Sequence, residues 1–122
     1  MSDRLFVLLS YEAFDSFLSG EKTYEFRSSD SHYNSQKVWK GRGVELRRGY
    51  TQTKAFGIIG EVFVGSPEEI YSKIPFRKIE PKARIIEEAI RESVSCLTNQ
   101  DGPFIAFEIM LSEPAQAAYK LI

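Results

Sequence analysis

Gly20-Glu21-Lys22-Thr23-Tyr24-Glu25-Phe26-Arg27 is the stretch whose reading decides the fold. From Lys22 onward Tyr24 and Phe26 alternate with Thr23, Glu25 and Arg27, a period of two that predicts a strand over 22–27 with two different faces. Upstream, Arg4 to Ser10 reads as a first strand, and Tyr11, Phe14, Phe17 and Leu18 then recur at helical spacing. Ser10 is placed to cap that helix, Glu12 and Asp15 complement its N-terminal dipole, and Gly20 supplies the left-handed residue that ends it. The charged run therefore enters a sheet directly after a helix.

Downstream, residues 28–43 (SSDSHYNSQKVWKGRG) are polar and turn-rich, the longest loop expected in the chain, with the pair Val38-Trp39 as its candidate anchor. Gly43 to Arg48 and Ala55 to Val64 read as strands, the second interrupted by Gly57 and Gly60, where a bend or bulge is expected. Ser66-Pro67-Glu68-Glu69 has the form of a capping box with proline in the first turn, so a short helix should follow. Pro75 and Pro81 break that segment. Lys82 to Leu97 then predicts a longer helix with Ile85, Ile86, Ala89, Ile90, Val94 and Leu97 as its apolar stripe. Asn99-Gln100-Asp101-Gly102-Pro103 stops it, Phe104 to Ser112 reads as a closing strand, and the tail to Ile122 as a further strand or short helix. No internal repeat or low-complexity tract is present.

Composition narrows the class. A chain of 122 residues with 43% hydrophobic residues, nine Phe and six Tyr is sized for one core, so we expect a single domain over 1–122. One cysteine, Cys96, excludes an internal disulfide framework, and one Cys with one His cannot build a four-ligand zinc site, so neither a metal nor another cofactor is expected. The apolar run Leu5 to Leu9 is too short for a signal core or a membrane span, which predicts a cytoplasmic protein without a membrane partner. Sixteen basic against seventeen acidic residues argue against nonspecific affinity for duplex phosphate. The charges are uneven, however: Lys37, Lys40, Arg42, Arg47, Arg48 and Lys54 crowd one stretch, and Glu68, Glu69, Glu87, Glu88 and Glu92 another.

The order strand, helix, G-x-K-x-x-E-x-R, strand resembles the ASCH (activating signal cointegrator homology) family, whose signature lies in that position, and the likeness extends through 55–64 to 104–112. The resemblance implies an α/β (α+β) fold, a small mixed PUA-like β-barrel with flanking helices and a cleft beside the first helix. It also implies an RNA-related role, because the family contains binders and a few enzymes acting on RNA or modified nucleosides. Read as residues, Lys22 offers a point charge to phosphate, Glu25 can accept base or sugar hydrogen bonds or hold the lysine, and Arg27 can bind phosphate bidentately or pair with an acid.

The candidate ligand-binding residues are Lys22, Glu25, Arg27, His32, Tyr33, Trp39 and Arg47. The loop histidine is also a potential general base, and Trp39 either stacks on a base or packs into the core. The cluster Lys40, Arg42, Arg47 and Arg48 is a candidate phosphate-facing rim. RNA or a nucleotide-like small molecule is the expected partner. If the protein is an enzyme, Lys22 and Glu25 are its catalytic candidates. One such alternative is ribonuclease action without a metal. Another is amidohydrolysis of acetylated cytidine, for which similar proteins use the motif lysine, a threonine three residues later and a distant carboxylate. Glu68, Glu69 or Glu80 is available for the last of these, but the threonine position here holds Glu25. A protein-interaction module using the acidic helix is the remaining class. Serine-hydrolase, P-loop and dinucleotide motifs are absent.

Overall fold

Ser10 behaves as its position predicts. In the computed structural model, which describes residues 3–97 and 99–112, its side chain accepts a hydrogen bond from the Ala13 amide and caps helix α1, Tyr11–Ser19. Gly20 closes the helix at φ 85°, a conformation that costs glycine little. Strand β1 (Leu5–Leu9) precedes α1, and β2 (Tyr24–Ser28) follows it. The second strand thus starts two residues later than the alternation suggests, because the Lys22 amide donates to Ser16 O and the Thr23 amide to Lys78 O rather than to a neighbouring strand.

Strands β3 (Gly43–Arg48), β4 (Lys54–Gly65) and β5 (Phe104–Leu111) complete a mixed five-stranded sheet in the order β1-β3-β4-β5-β2, parallel only between β1 and β3. The sheet curls into a half-barrel whose open seam lies between β1 and β2. The curl has a local cause. The ladder between β4 and β5 shifts register between Ile59 and Val62, a bulge at Gly60-Glu61. At Gly57 the β5 backbone comes so near that an added Cβ would lie 2.5 Å from Met110 O. The two glycines therefore do different work, one permitting the bulge and the other permitting close strand approach.

Side chains of β5 alternate between its two faces, both of them buried over Phe104 to Phe107, and so separate two apolar clusters. Ile105, Phe107 and Ile109 point into the barrel with Val7, Phe14, Phe17, Leu46 and Ile59. Phe104 and Ala106 point the other way, with Phe26, against Ile70, Tyr71, Ile79 and Ala89. The second cluster is covered by α2 (Pro67–Tyr71), a 3-10 turn at Phe76–Lys78 and α3 (Ile86–Ser95). Helix α2 carries the capping box expected of Ser66 and Glu69.

Helix α3 begins four residues later than the periodicity suggests. The carbonyls of Ala83 and Arg84 accept from the Arg77 guanidinium, and the Arg84 amide donates to Glu88 Oε1. That segment's polar groups are thereby satisfied outside a helix. As a result Ile85 and Ile86 are exposed, while Ala89 and Ser93 form the buried part of the helix. The expectation for the tail falls outside the described residues. No helix among the described residues is long and apolar enough to cross a membrane.

Two substitutions test this account of the curl. Gly57→Ala places a methyl against backbone and should lower stability by about 1–3 kcal/mol in chemical denaturation. At Gly60 the nearest atoms belong to the Glu108 side chain rather than to backbone, so Gly60→Ala should lower stability less.

Candidate functional site

Strand alternation decides where the signature residues go. In β2, Tyr24 and Phe26 pack toward the helical layer, whereas Glu25 and Arg27 lie opposite Phe107 and Ile105 and face the seam. The alternating run is thus covered on both faces, one apolar and one charged. Arg27 spans the seam. Its Nε meets Glu25 Oε2 at 2.5 Å, its Nη2 donates to Leu8 O of β1 at 2.7 Å, and its Nη1 lies 3.3 Å from the Tyr33 hydroxyl. Tyr33 stacks on Phe107, with ring centroids 6.0 Å apart, and its hydroxyl donates to Phe6 O. Two side chains from the β2 side therefore tie down carbonyls of the edge strand β1.

Lys22 precedes the strand and so escapes its alternation, which lets it meet a residue three positions on. Its Nζ donates to Ile79 O at 2.6 Å, lies 3.5 Å from Glu25 Oε1 and sits over the Phe17 ring. Both members of the pair are buried, with 6% of Lys22 and 8% of Glu25 exposed. Burial alone would raise the Glu25 carboxyl, but the Arg27 guanidinium and Lys22 ammonium outweigh it and hold the group below the usual carboxylate range.

These residues line a cavity of about 420 Å³ between α1, the seam and α3. Ser10, Ala13 and Ser16 of the helix side, Lys22, Glu25 and Arg27 of the seam, and Glu80, Ser93 and Cys96 opposite contribute to its wall. Glu80 is the carboxylate that distinguishes itself. It accepts from the Ser93 hydroxyl at 2.9 Å, and Ser93 is 2.6 Å from the Tyr71 hydroxyl, which in turn donates to Ala89 O. Desolvation raises the Glu80 pKa despite the nearby Lys22 charge and the Ser93 hydrogen bond. One cavity therefore holds two carboxyls displaced in opposite directions, Glu25 downward and Glu80 upward. Of the three acids considered for the distant carboxylate, Glu80 lines this cavity, whereas Glu69 is engaged in the cap of α2 and Glu68 is exposed. The signal for Glu80 in the sequence was only its place between Ile79 and Pro81.

The remaining candidates lie elsewhere. His32 is exposed, and its amide donates to Asp30 Oδ1. Val38, not Trp39, anchors the long loop: Val38 is buried, and Trp39 is 47% exposed beneath the Arg42 guanidinium. The expectation of Trp39 in the core fails because the loop turns at Lys40-Gly41 with Gly41 N bonded to Ile59 O, leaving the adjacent side chain outside. Arg47 pairs with Glu45 at 2.6 Å on the outer sheet face. Arg48 pairs with Asp15, and Lys40 with Glu61. Three of the four rim cations are thus paired with acids, Lys40 and Arg48 with acids distant in sequence and Arg47 with one on its own strand. Among the seven candidates, the cavity wall takes Lys22, Glu25 and Arg27, with Tyr33 behind Arg27, and leaves His32, Trp39 and Arg47 outside it.

No family model and no curated protein matches the sequence. Solved structures do match. The hypothetical protein PH0355 superposes with a TM-score of 0.71 at 18% identity, covering 88% of this chain and 97% of its own. A Pyrococcus furiosus protein solved by NMR gives 0.66 at 18% identity over 90% and 98% of the two chains. An ASCH protein from Zymomonas mobilis gives 0.56 at 15% identity over 88% of this chain and 66% of its own. At these identities the likeness concerns the fold, and at that level it meets the resemblance carried by Gly20–Arg27.

Glu25→Gln should cost about 3–5 kcal/mol at neutral pH, because it leaves Arg27 and Lys22 without their shared counter-charge. The sign with pH follows from the lowered pKa. The wild-type contribution is complete above the ordinary carboxylate range and is lost as pH falls through the depressed folded value. Denaturation measured from neutral pH down to about pH 3 should therefore show a shallower acid loss in the variant than in the wild type.

Proposed function

We propose that this chain, which has the ASCH fold, uses the cavity beside α1 to hold RNA or a nucleotide-like ligand. The observation that carries the proposal is the buried Lys22–Glu25 pair on the cavity wall, an ammonium beside a carboxylate with Arg27 behind it. A volume of about 420 Å³ lies in the range of small-molecule sites. The charges also restrict what fits. The wall carries Lys22 and Arg27 against Glu12, Glu25, Glu80 and Glu92, and four carboxyls disfavour a densely phosphorylated group. They suit the amino and hydroxyl donors of a base and sugar, while Lys22 supplies one cation for a carbonyl or a single phosphate.

A specific observation favours a second reading, an acid–base enzyme on RNA or a modified nucleoside. Glu80 is pushed toward its protonated form in the same cavity where Glu25 is kept ionised, and opposed carboxyls of this kind divide the roles of proton donor and acceptor. In that reading Glu80 holds the proton and Lys22 stabilises developing negative charge. Glu25, standing where similar amidohydrolases have threonine, keeps Lys22 in place.

Lys22→Met preserves the apolar stem over Phe17 and removes the charge. Binding of cytidine and of a short single-stranded oligoribonucleotide, measured by calorimetry, should weaken by about tenfold or more, the effect of losing one charged hydrogen bond. Equal affinity in the variant and the wild type, with circular dichroism unchanged, would refute the proposal. Cleavage of RNA or release of acetate from acetylcytidine by the wild type, abolished in Glu80→Gln, would select the enzyme reading over simple binding.

A further inference from the structure

A second hollow, of about 440 Å³, lies along the same edge strand and is lined by Arg4, Leu5, Phe6, His32, Tyr33, Lys37 and Arg42. Among the described residues its lining contains no carboxylate. Two acids flank it in sequence: Asp3, next to Arg4, offers its backbone carbonyl to Arg42, and Asp30 accepts from the amides of His32 and Tyr33. Among the described residues, Lys37 and Arg42 are held by backbone carbonyls rather than by acids: Lys37 donates to Ser31 O, and Arg42 to Asp3 O and Lys37 O. Those contacts aim the two cations without neutralising them, in contrast to Lys40, Arg47 and Arg48, each of which has an acidic partner. Exposed aromatic surface adjoins the cations, with Phe6 49% exposed in the hollow itself and Trp39 stacked beneath Arg42.

We infer that this hollow is a phosphate subsite for single-stranded RNA whose terminal base or nucleoside occupies the cavity beside α1. The inference rests on the cavity reading above and extends it from a nucleoside-sized ligand to an oligonucleotide. The two sites divide the charge. The acid-rich cavity is suited to base and sugar, and the cationic hollow to the backbone that the cavity disfavours. They are neighbours on β1: Leu9 lines the cavity and Leu5 the hollow. At a rise of about 3.3 Å per residue their separation is about 13 Å, beyond the reach of one nucleoside and within that of a short strand. Arg27 and Tyr33, in contact with each other, lie between them, Arg27 on the cavity side and Tyr33 on the hollow side. Phe6 and Trp39 are about half exposed, with Arg47 over the Phe6 ring and Arg42 over the Trp39 ring, and rings so placed are suited to stacking on bases irrespective of sequence.

The test uses the whole chain, cytidine as a probe of the cavity alone, and oligouridylate of about six nucleotides as a probe of both sites. Lys37→Ala/Arg42→Ala should weaken oligouridylate by about tenfold or more, and should lower the magnitude of its salt slope by about 1.4, the value for two lost single-strand phosphate contacts. Cytidine affinity should be unchanged. Trp39 is the one tryptophan in the chain, so its fluorescence should respond to oligouridylate and not to cytidine. That readout, together with the single variant Lys37→Gln, keeps the test decisive if Arg42→Ala loosens the loop. If oligouridylate binds, is lost in Lys22→Met and is indifferent to Lys37 and Arg42, with Trp39 silent, the hollow is not a subsite and the cavity reading stands. If neither probe binds the wild type, both readings fall together.

Discussion

The Arg27 guanidinium is the constraint on which the architecture of the site depends. A sheet in the order β1-β3-β4-β5-β2 has two edges, and an edge left open exposes unpaired backbone groups to solvent or to another chain. Arg27 spans the opening by donating to Leu8 O while holding Glu25. The Tyr33 hydroxyl reaches Phe6 O beside it. Side-chain hydrogen bonds thus substitute for the missing strand ladder. Because the seam is bridged by charge rather than by backbone, a carboxylate can be retained there, and Lys22 can be drawn in to complete its compensation.

This arrangement explains why the signature residues are both structural and available. A buried ion pair is expensive unless its members are multiply bonded, and here Glu25 faces two cations while Lys22 also donates to Ile79 O. The result is a rigid, partly desolvated group of charges at the wall of a cavity. Preorganised charge in such a place interacts more strongly with a ligand than the same charge on an open surface. Glu80 completes the contrast. It is oriented by Ser93 and Tyr71 from the helical layer and pushed toward protonation by its burial.

Much of the fold was legible in the letters because its signals were local. Ser10 and Gly20 bracket α1, Ser66 and Glu69 start α2, and the period of two in 22–27 separates an apolar from a charged face. The structure departs from the local pattern where a group outside that pattern intervenes. Arg77 took the carbonyls that would have begun α3 early, and the turn at Gly41 left Trp39 outside the core. The site followed the same division. Lys22, Glu25 and Arg27 stand in one short motif, whereas Glu80 reaches them only through the packing of the helical layer on β2.

The amino-acid sequence by itself determined which segments become strands and helices, and which face of β2 carries charge, because capping, turn chemistry and side-chain alternation act over a few residues. Tertiary structure alone decided which charges survive as charges. Arg48 and Lys40 met acids from other elements and were neutralised, Lys37 and Arg42 met carbonyls and, among the described residues, no acid, and Glu25 and Glu80 were displaced in opposite directions. The reason is that an electrostatic environment is a sum over neighbours in space, and a half-barrel assembles those neighbours from both ends of the chain.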